Sequence, residues 1–240
     1  MKRAIVIVID SMGCGAMPDC RDYGDVPECN TLCNVSAAVG GLNAPNFYKL
    51  GLGNLGNVKG VDKNPDAIAQ YGIMKEKSKG KDTTTGHWEM MGLILDKPFK
   101  VYPNGFPKEI IDKFIEETKC GGILGNYPAS GTKIIEDLHS EHEKTKFPII
   151  YTSADSVFQI AVDIDIIPIE TLYKYCEIAR NILTDEYNVS RVIARPYRLV
   201  DGKPVRIGGM RRDYSVEPFK DSTCDIVLKN SGAVVGIGKI

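Results

Sequence analysis

A chain of 240 residues with 43% hydrophobic and 25% charged residues has the composition of an ordinary globular protein and length for one large or two small domains. Its formal net charge of −1 gives no electrostatic case for binding nucleic acid or an anionic membrane. The longest apolar stretch, residues 4–9, is far short of a membrane span and lacks a signal-peptide cleavage pattern, so the cytoplasm is the expected compartment.

The opening run Ala4-Ile5-Val6-Ile7-Val8-Ile9 is continuous and β-branched, which predicts a strand buried on both faces of a parallel sheet. Asp10 stands at its carboxyl end, before Ser11, Gly13 and Gly15. Open α/β sheets bind ligands there, so Asp10 reads either as a metal-holding carboxylate or as a helix N-cap. Asn30 or Thr31 can cap a short helix through Ala38. Residues 69–74 predict a second strand, leading into the polar loop Lys79-Gly80-Lys81-Asp82-Thr83-Thr84-Thr85-Gly86-His87-Trp88-Glu89, after which Trp88 to Leu95 reads as helical. That loop joins hydroxyls, an acid, a base and two glycines, a combination suited to phosphoryl chemistry once a metal or a base activates a hydroxyl. His87 reads first as an ordering group for the loop, by hydrogen bonds or by packing with Trp88.

From about Asp96 to Tyr214 helices and strands alternate with their own hydrophobic faces, which predicts an inserted second domain. A helix starts at Pro107 and buries Ile110, Ile111, Phe114 and Ile115; another spans about Gly131 to His142; the clearest runs from Glu170 to Leu183. Strands are expected at 148–151, 157–160 and 191–194, with Asp201-Gly202 as a hairpin turn. Thr223 to Lys229 reads as a helix and residues 233–237 as a further buried strand. His139 and His142 lie three apart in an acidic helical segment and read as part of a solvated face. Cys14, Cys20, Cys29 and Cys33 lack paired C-x-x-C spacing and are expected as reduced thiols, and Cys120 and Cys176 as small apolar fillers.

Within the inserted block, Asp155 follows an apolar strand in Thr152-Ser153-Ala154-Asp155-Ser156, where short polar side chains can bond sugar hydroxyls. Arg191 and Arg195 flank Val192-Ile193-Ala194 and share one face of a strand, so they can grip a phosphate together or stand as surface salt-bridge partners. Arg206, Arg211 and Arg212 lie in a glycine-containing loop, where Arg206 and Arg212 read as solvated charge. Lys239 follows Gly238 and can meet a phosphate at the sheet edge or end in water.

Seven blocks of this chain, taken together and in order, resemble the phosphopentomutase family of the alkaline phosphatase superfamily. They are Asp10-Ser11 with Gly13 and Gly15, Pro45-Asn46 before Leu50-Gly51-Leu52-Gly53-Asn54, Gly80-Lys81-Asp82-Thr83 with Thr85-Gly86-His87-Trp88-Glu89, Gly125-Asn126 with Pro128-Ala129-Ser130-Gly131-Thr132, Tyr151-Thr152-Ser153-Ala154-Asp155-Ser156, Arg191-Val192-Ile193-Ala194-Arg195-Pro196, and Ile237-Gly238-Lys239-Ile240. The resemblance implies an α/β fold, an alkaline-phosphatase-like parallel-sheet core (incomplete here) over 1–95 and 215–240, with an inserted α+β cap domain over 96–214. It implies an isomerase that interconverts ribose 1-phosphate and ribose 5-phosphate, and the deoxy forms, through a phosphothreonine and a bisphosphorylated sugar. Thr83 is then the catalytic acceptor; Asp155, Arg191, Ile193, Arg195, Arg211 and Lys239 bind substrate; Asp10 and Thr83 are metal ligands for two manganese ions (Mn2+).

In that family a further stretch after the Gly-Lys-Ile segment supplies most of the metal ligands. The chain is therefore expected to be the N-terminal part of such an enzyme, catalytically incomplete by itself, with a complementary C-terminal fragment as its implied partner. Rival readings are an inactive fragment or sugar-phosphate binding module, and another metal-dependent phosphomutase or phosphatase of the same superfamily.

Overall fold

A computed structural model describes residues 2–9 and 12–237. Asp10 and Lys239, both candidate site residues, lie outside the described residues. The chain divides into two compact units, Met1–Glu76 and Lys77–Ile240.

The first unit is short on regular structure. Helix α1 (Thr31–Ala38) starts where Asn30 accepts a hydrogen bond from the Cys33 amide, one of the two caps its sequence offered. Helix α2 (Pro45–Leu50) begins with proline in its first turn and ends on Gly51 at φ +91°, a conformation open to glycine. Leu32, Val58 and Val61 form a small buried cluster, with Met12, Cys14 and Cys33 packed on it. Asn54 and Asn64 tie the following loop, the Asn64 amide donating to Asn54 Oδ1 and Asn54 Nδ2 to the Asn64 carbonyl.

The second unit is built on a mixed sheet in the order β1 (Leu124–Pro128), β2 (Ile149–Thr152), β3 (Val157–Asp163), β4 (Arg191–Val200) and β5 (Lys203–Arg206). Strand β6 (Arg212–Ser215) pairs with the first half of β4, whose second half pairs with β5. β1 with β2 and β3 with β4 are parallel; the other pairings are antiparallel. Parallel neighbours need a crossover. Helix α5 (Gly131–Thr145) connects β1 to β2, and α6 (Ile169–Ile182) connects β3 to β4.

Side chains alternate across a sheet, so each strand serves two layers. Ile150, Phe158, Ile160, Val162, Val192 and Ala194 face a core shared with α4 (Lys108–Thr118) and α6. Ile149, Tyr151, Ala161 and Tyr197 face the other way, against Ile134 and Ile135 of α5. Both faces of β3 are covered, and all of its residues are buried. The hairpin at Asp201-Gly202 forms as expected, both residues having positive φ (50° and 73°). Helix α7 (Thr223–Lys229) opens with a capping box between Ser222 and Asp225.

Several expectations are corrected. Residues 2–9, 69–74 and 232–237 carry no strand, and Ile5, Ile7, Ile73 and Val235 are exposed. A β-branched run shows only what a segment can bury, whereas a strand exists through the neighbour that takes up its backbone bonds; among the described residues none pairs with these segments. The helix expected over 88–95 instead starts five residues earlier and ends at Met90, as α3 (Thr83–Met90). His142 does not belong to a solvated face. It is fully buried, Nδ1 donating to the Phe147 carbonyl (2.6 Å) and Nε2 accepting from the Asp163 amide (3.1 Å). The acidic residues around it in sequence occupy the outer side of the same helix.

Candidate functional site

The threonines sit at the start of α3 because Asp82 caps it. Asp82 Oδ1 accepts from the Thr85 amide (3.0 Å), and Thr85 Oγ1 donates to Asp82 Oδ2 (2.6 Å). Gly80, at φ +124°, lets the chain turn into this cap. The arrangement separates three chemically alike hydroxyls. Thr85 is fully buried and bonded to Asp82, Thr84 is buried at 6% exposure, and Thr83, in the first turn, is half-buried.

His87 Nδ1 donates to the Thr83 carbonyl (2.7 Å), one turn back, so the histidine orders the segment as its sequence suggested. Trp88 packs edge-on against Phe99 and Phe219, each at 5.8 Å. Glu89 anchors the approach to the helix. Its two carboxylate oxygens accept from the Lys77 and Ser78 amides at 2.7 and 2.6 Å. Burial pushes the Glu89 carboxyl up, but the bonds from Ser78 and Lys77 outweigh it and hold the group below its ordinary value.

The candidates on β4 lie on the sheet face that α5 covers. Arg191, Ile193 and Arg195 alternate with Val192 and Ala194, which point into the opposite core. Arg191 is 7% exposed; its Nη1 lies 3.0 Å from Asp213 Oδ2 and its Nη2 3.7 Å from Asp155 Oδ2. Its Nε is buried with no hydrogen-bond partner among the described residues. Ile193 is buried, and Arg195 Nε donates to Gln159 Oε1 (3.1 Å). Arg211 grips Asp213 with two nitrogens, at 2.7 and 2.8 Å. Burial raises the Asp213 carboxyl, yet Arg211 and then Arg191 prevail and hold it below its ordinary value. The structure thus brings Asp155, Arg191, Arg195 and Arg211 into one charged neighbourhood.

Sequence reasoning missed part of this neighbourhood. Asp213 joins Arg191 to Arg211 and was not singled out, although its place in Arg211-Arg212-Asp213 on a strand pairing with 191–194 carries that signal. Arg206 is exposed, in keeping with its reading as solvated charge, and it also lines a cleft of about 570 Å³ with Arg195, Arg211 and Thr132. Its partners come from a helix and from two other stretches of chain, which no local pattern reveals. Arg212 lies with its guanidinium 3.8 Å over the Tyr173 ring.

Among the described residues no three His, Cys, Asp or Glu side chains converge on a common point, so they do not assemble a metal centre. Asp82, the carboxylate nearest Thr83 in sequence, spends both oxygens on Thr85.

Fold and site define an α/β protein in which a capped threonine helix and a sheet-borne arginine cluster occur in one compact unit. More particularly, the chain is similar along its length to phosphopentomutases. It is 54% identical to the phosphopentomutase of Dictyoglomus turgidum over 100% of this chain and 60% of the relative. The corresponding protein of Carboxydothermus hydrogenoformans is 52% identical over 100% of this chain and 61% of its own length. That of Thermotoga petrophila is 52% identical over 99% and 60%. The chain thus spans about three-fifths of the length of the curated relatives it matches. No family model matches it. Among the described residues no helix is long and apolar enough to cross a membrane.

Proposed function

We propose that the chain is part of a phosphopentomutase, a cytoplasmic isomerase that interconverts ribose or deoxyribose 1-phosphate and 5-phosphate. The observation that carries this reading is similarity over the whole of this chain, and about three-fifths of the relatives' length, to proteins of that name, at 50–54% identity. The local geometry is compatible: of the three adjacent threonines, Thr83 is half-buried, whereas Thr84 and Thr85 are buried. Residues 1–95 and 215–240 are assigned to the phosphoryl-transfer core and 96–214 to the cap.

In this reading Thr83 carries the phosphoryl group. Its Oγ–P bond breaks as a sugar monophosphate hydroxyl attacks, and the hydroxyl proton ends on Thr83 Oγ. The bisphosphorylated sugar then turns over and returns its other phosphate to Thr83, so the net change is isomerisation. Asp155, Arg191, Ile193, Arg195, Arg211 and Lys239 are assigned to the sugar and its non-reacting phosphate. Guanidinium groups suit that role because they bond two phosphate oxygens at once. The His87 bond to the Thr83 carbonyl and the Asp82 cap hold the acceptor in place. Manganese, if bound as the resemblance implies, would neutralise the transferred oxygens; Asp10 and Thr83 are its assigned ligands in this chain.

The test is a coupled assay for ribose 5-phosphate from ribose 1-phosphate with manganese, on this chain mixed with the remaining length of the D. turgidum relative. Activity that Thr83→Ala abolishes is expected. Hydrolysis of the sugar phosphate without isomerisation assigns the protein to another reaction.

A further inference from the structure

Cys14, Cys20, Cys29 and Cys33 fall in the first unit, and all are free thiols. The fold singles out two of them. The Leu32 amide, in the first turn of α1, donates to the Gly13 carbonyl at 3.1 Å. Further along the same loop, a Cβ placed on Gly15 would lie 4.0 Å from Asn30 Nδ2, at the cap of that helix. The segment 13–15 therefore runs against the start of α1 in the opposite direction and sets Cys14 beside the residues around Leu32. Cys33 is held there by its own amide, which donates to Asn30 Oδ1 at 3.0 Å.

The side chains agree with the backbone. Cys14 and Cys33 both pack on the cluster of Leu32, Val58 and Val61. They are close enough to sense each other's charge: the Cys14 thiol is pushed above its ordinary value by burial and then by Cys33. Both are half-buried, so a small thiol reagent reaches them. Cys20 is buried, Cys29 is exposed, and neither belongs to that cluster. Sequence alone favours other pairs, because closing the short loops Cys29–Cys33 or Cys14–Cys20 costs less entropy. A bond between Cys14 and Cys33 is one that only the folded unit selects.

We propose that Cys14 and Cys33 form a redox-modification site, a thiol pair that a small disulfide such as glutathione disulfide converts into a reversible cross-link fastening residues 12–15 to α1. The Cys33 thiolate attacks one sulfur of glutathione disulfide and releases one glutathione thiolate. The Cys14 thiolate then attacks the Cys33 sulfur of the mixed disulfide, forming the Cys14–Cys33 bond and releasing the second glutathione. Two protein thiols are oxidised, one disulfide is reduced, and the two protons pass to the glutathione thiolates. The opening attack falls to Cys33 because burial holds back the ionisation of Cys14. The site does not depend on the mutase reading, although the segment it would fasten follows Asp10, the carboxylate assigned to the metal there.

The test is incubation of the purified chain with glutathione disulfide, followed by an acid quench, alkylation and peptide mapping by mass spectrometry, in buffer and again in urea. In buffer the Cys14–Cys33 link should exceed every other pairing by about tenfold or more, since the fold holds these two thiols together. In urea the shorter loops Cys29–Cys33 and Cys14–Cys20 should overtake it. Hydrogen exchange at the Leu32 amide, which donates to Gly13, should slow by about tenfold in the oxidised chain and return on reduction. Cys14→Ser should stop the link and leave Cys33 as its glutathione adduct, whereas Cys29→Ser should leave the link in place. Glutathione adducts with no cross-link, Cys29 as the main partner of either thiol, or the same pairing in buffer and in urea overturns the proposal.

Discussion

Replacing Tyr151 by phenylalanine should stabilise the protein. The side chain is fully buried and its hydroxyl lacks a partner among the described residues, so folding strips that oxygen of water without return. Leaving such a group unsatisfied costs about 1–3 kcal/mol, and phenylalanine keeps the ring while removing the cost. Gly131→Ala probes the same spot from the other side. Its Cβ would meet the Tyr151 oxygen at 2.5 Å and the ring carbon behind it at 3.3 Å, a clash against a buried, close-packed ring. Overpacking of this kind costs about 1–3 kcal/mol. In the Tyr151→Phe background the shorter contact disappears, leaving the 3.3 Å approach that a shift of tenths of an ångström relieves. Alanine is also a better helix former than glycine by about 1 kcal/mol, so the alanine should then be close to neutral. The two changes should therefore couple by about 1–3 kcal/mol in a double-mutant cycle measured by urea unfolding at constant m. Additive effects, or a Tyr151→Phe protein less stable than the parent by more than 1 kcal/mol on the scale of that penalty, would refute the reasoning.

Other parts of the unit respond in defined ways. His142 is held below its ordinary value, chiefly by burial, and its Nε2 must stay unprotonated to accept from Asp163. Its contribution is complete above about pH 6.5, the unfolded value, and is lost as pH falls through the lower folded value, so the urea midpoint should drop on acidification and drop less in His142→Gln. Asp213→Asn removes the charge that joins Arg191 to Arg211 and should cost about 1–3 kcal/mol in urea unfolding. Because Asp213 is depressed, its stabilisation is present above about pH 4 and disappears as pH falls through the folded value, which the asparagine variant should not show. Asp82→Ala strips the cap from α3 and should cost about 1 kcal/mol, with faster amide exchange at Thr85.

How far the sequence could be read depended on whether the deciding interaction was local. The period of Leu172, Cys176, Ala179 and Ile182 placed α6 to within one residue, because helix periodicity and burial come from the same face. Asn30, the helix start at Thr223 and the Asp201-Gly202 turn were legible for the same reason, since a cap or a turn is settled within a few residues. Residues 4–9 were not, because strand formation depends on a partner segment that the run itself does not contain. Thr83, Asp155, Arg191 and Arg195 were singled out from blocks of motif, and the structure gives each a distinct setting. Asp213 stayed hidden because strand pairing brings it to Arg191 across distant sequence. His142 was misjudged because its acidic neighbours outweighed the one position that faces inward.

The most direct measurement is phosphopeptide mapping after a sugar bisphosphate is incubated with the active, reconstituted enzyme. The account predicts label on Thr83 alone, unchanged in Thr84→Ala and absent in Thr83→Ala. Label on Thr84 or Thr85, or turnover persisting in Thr83→Ala, would contradict it.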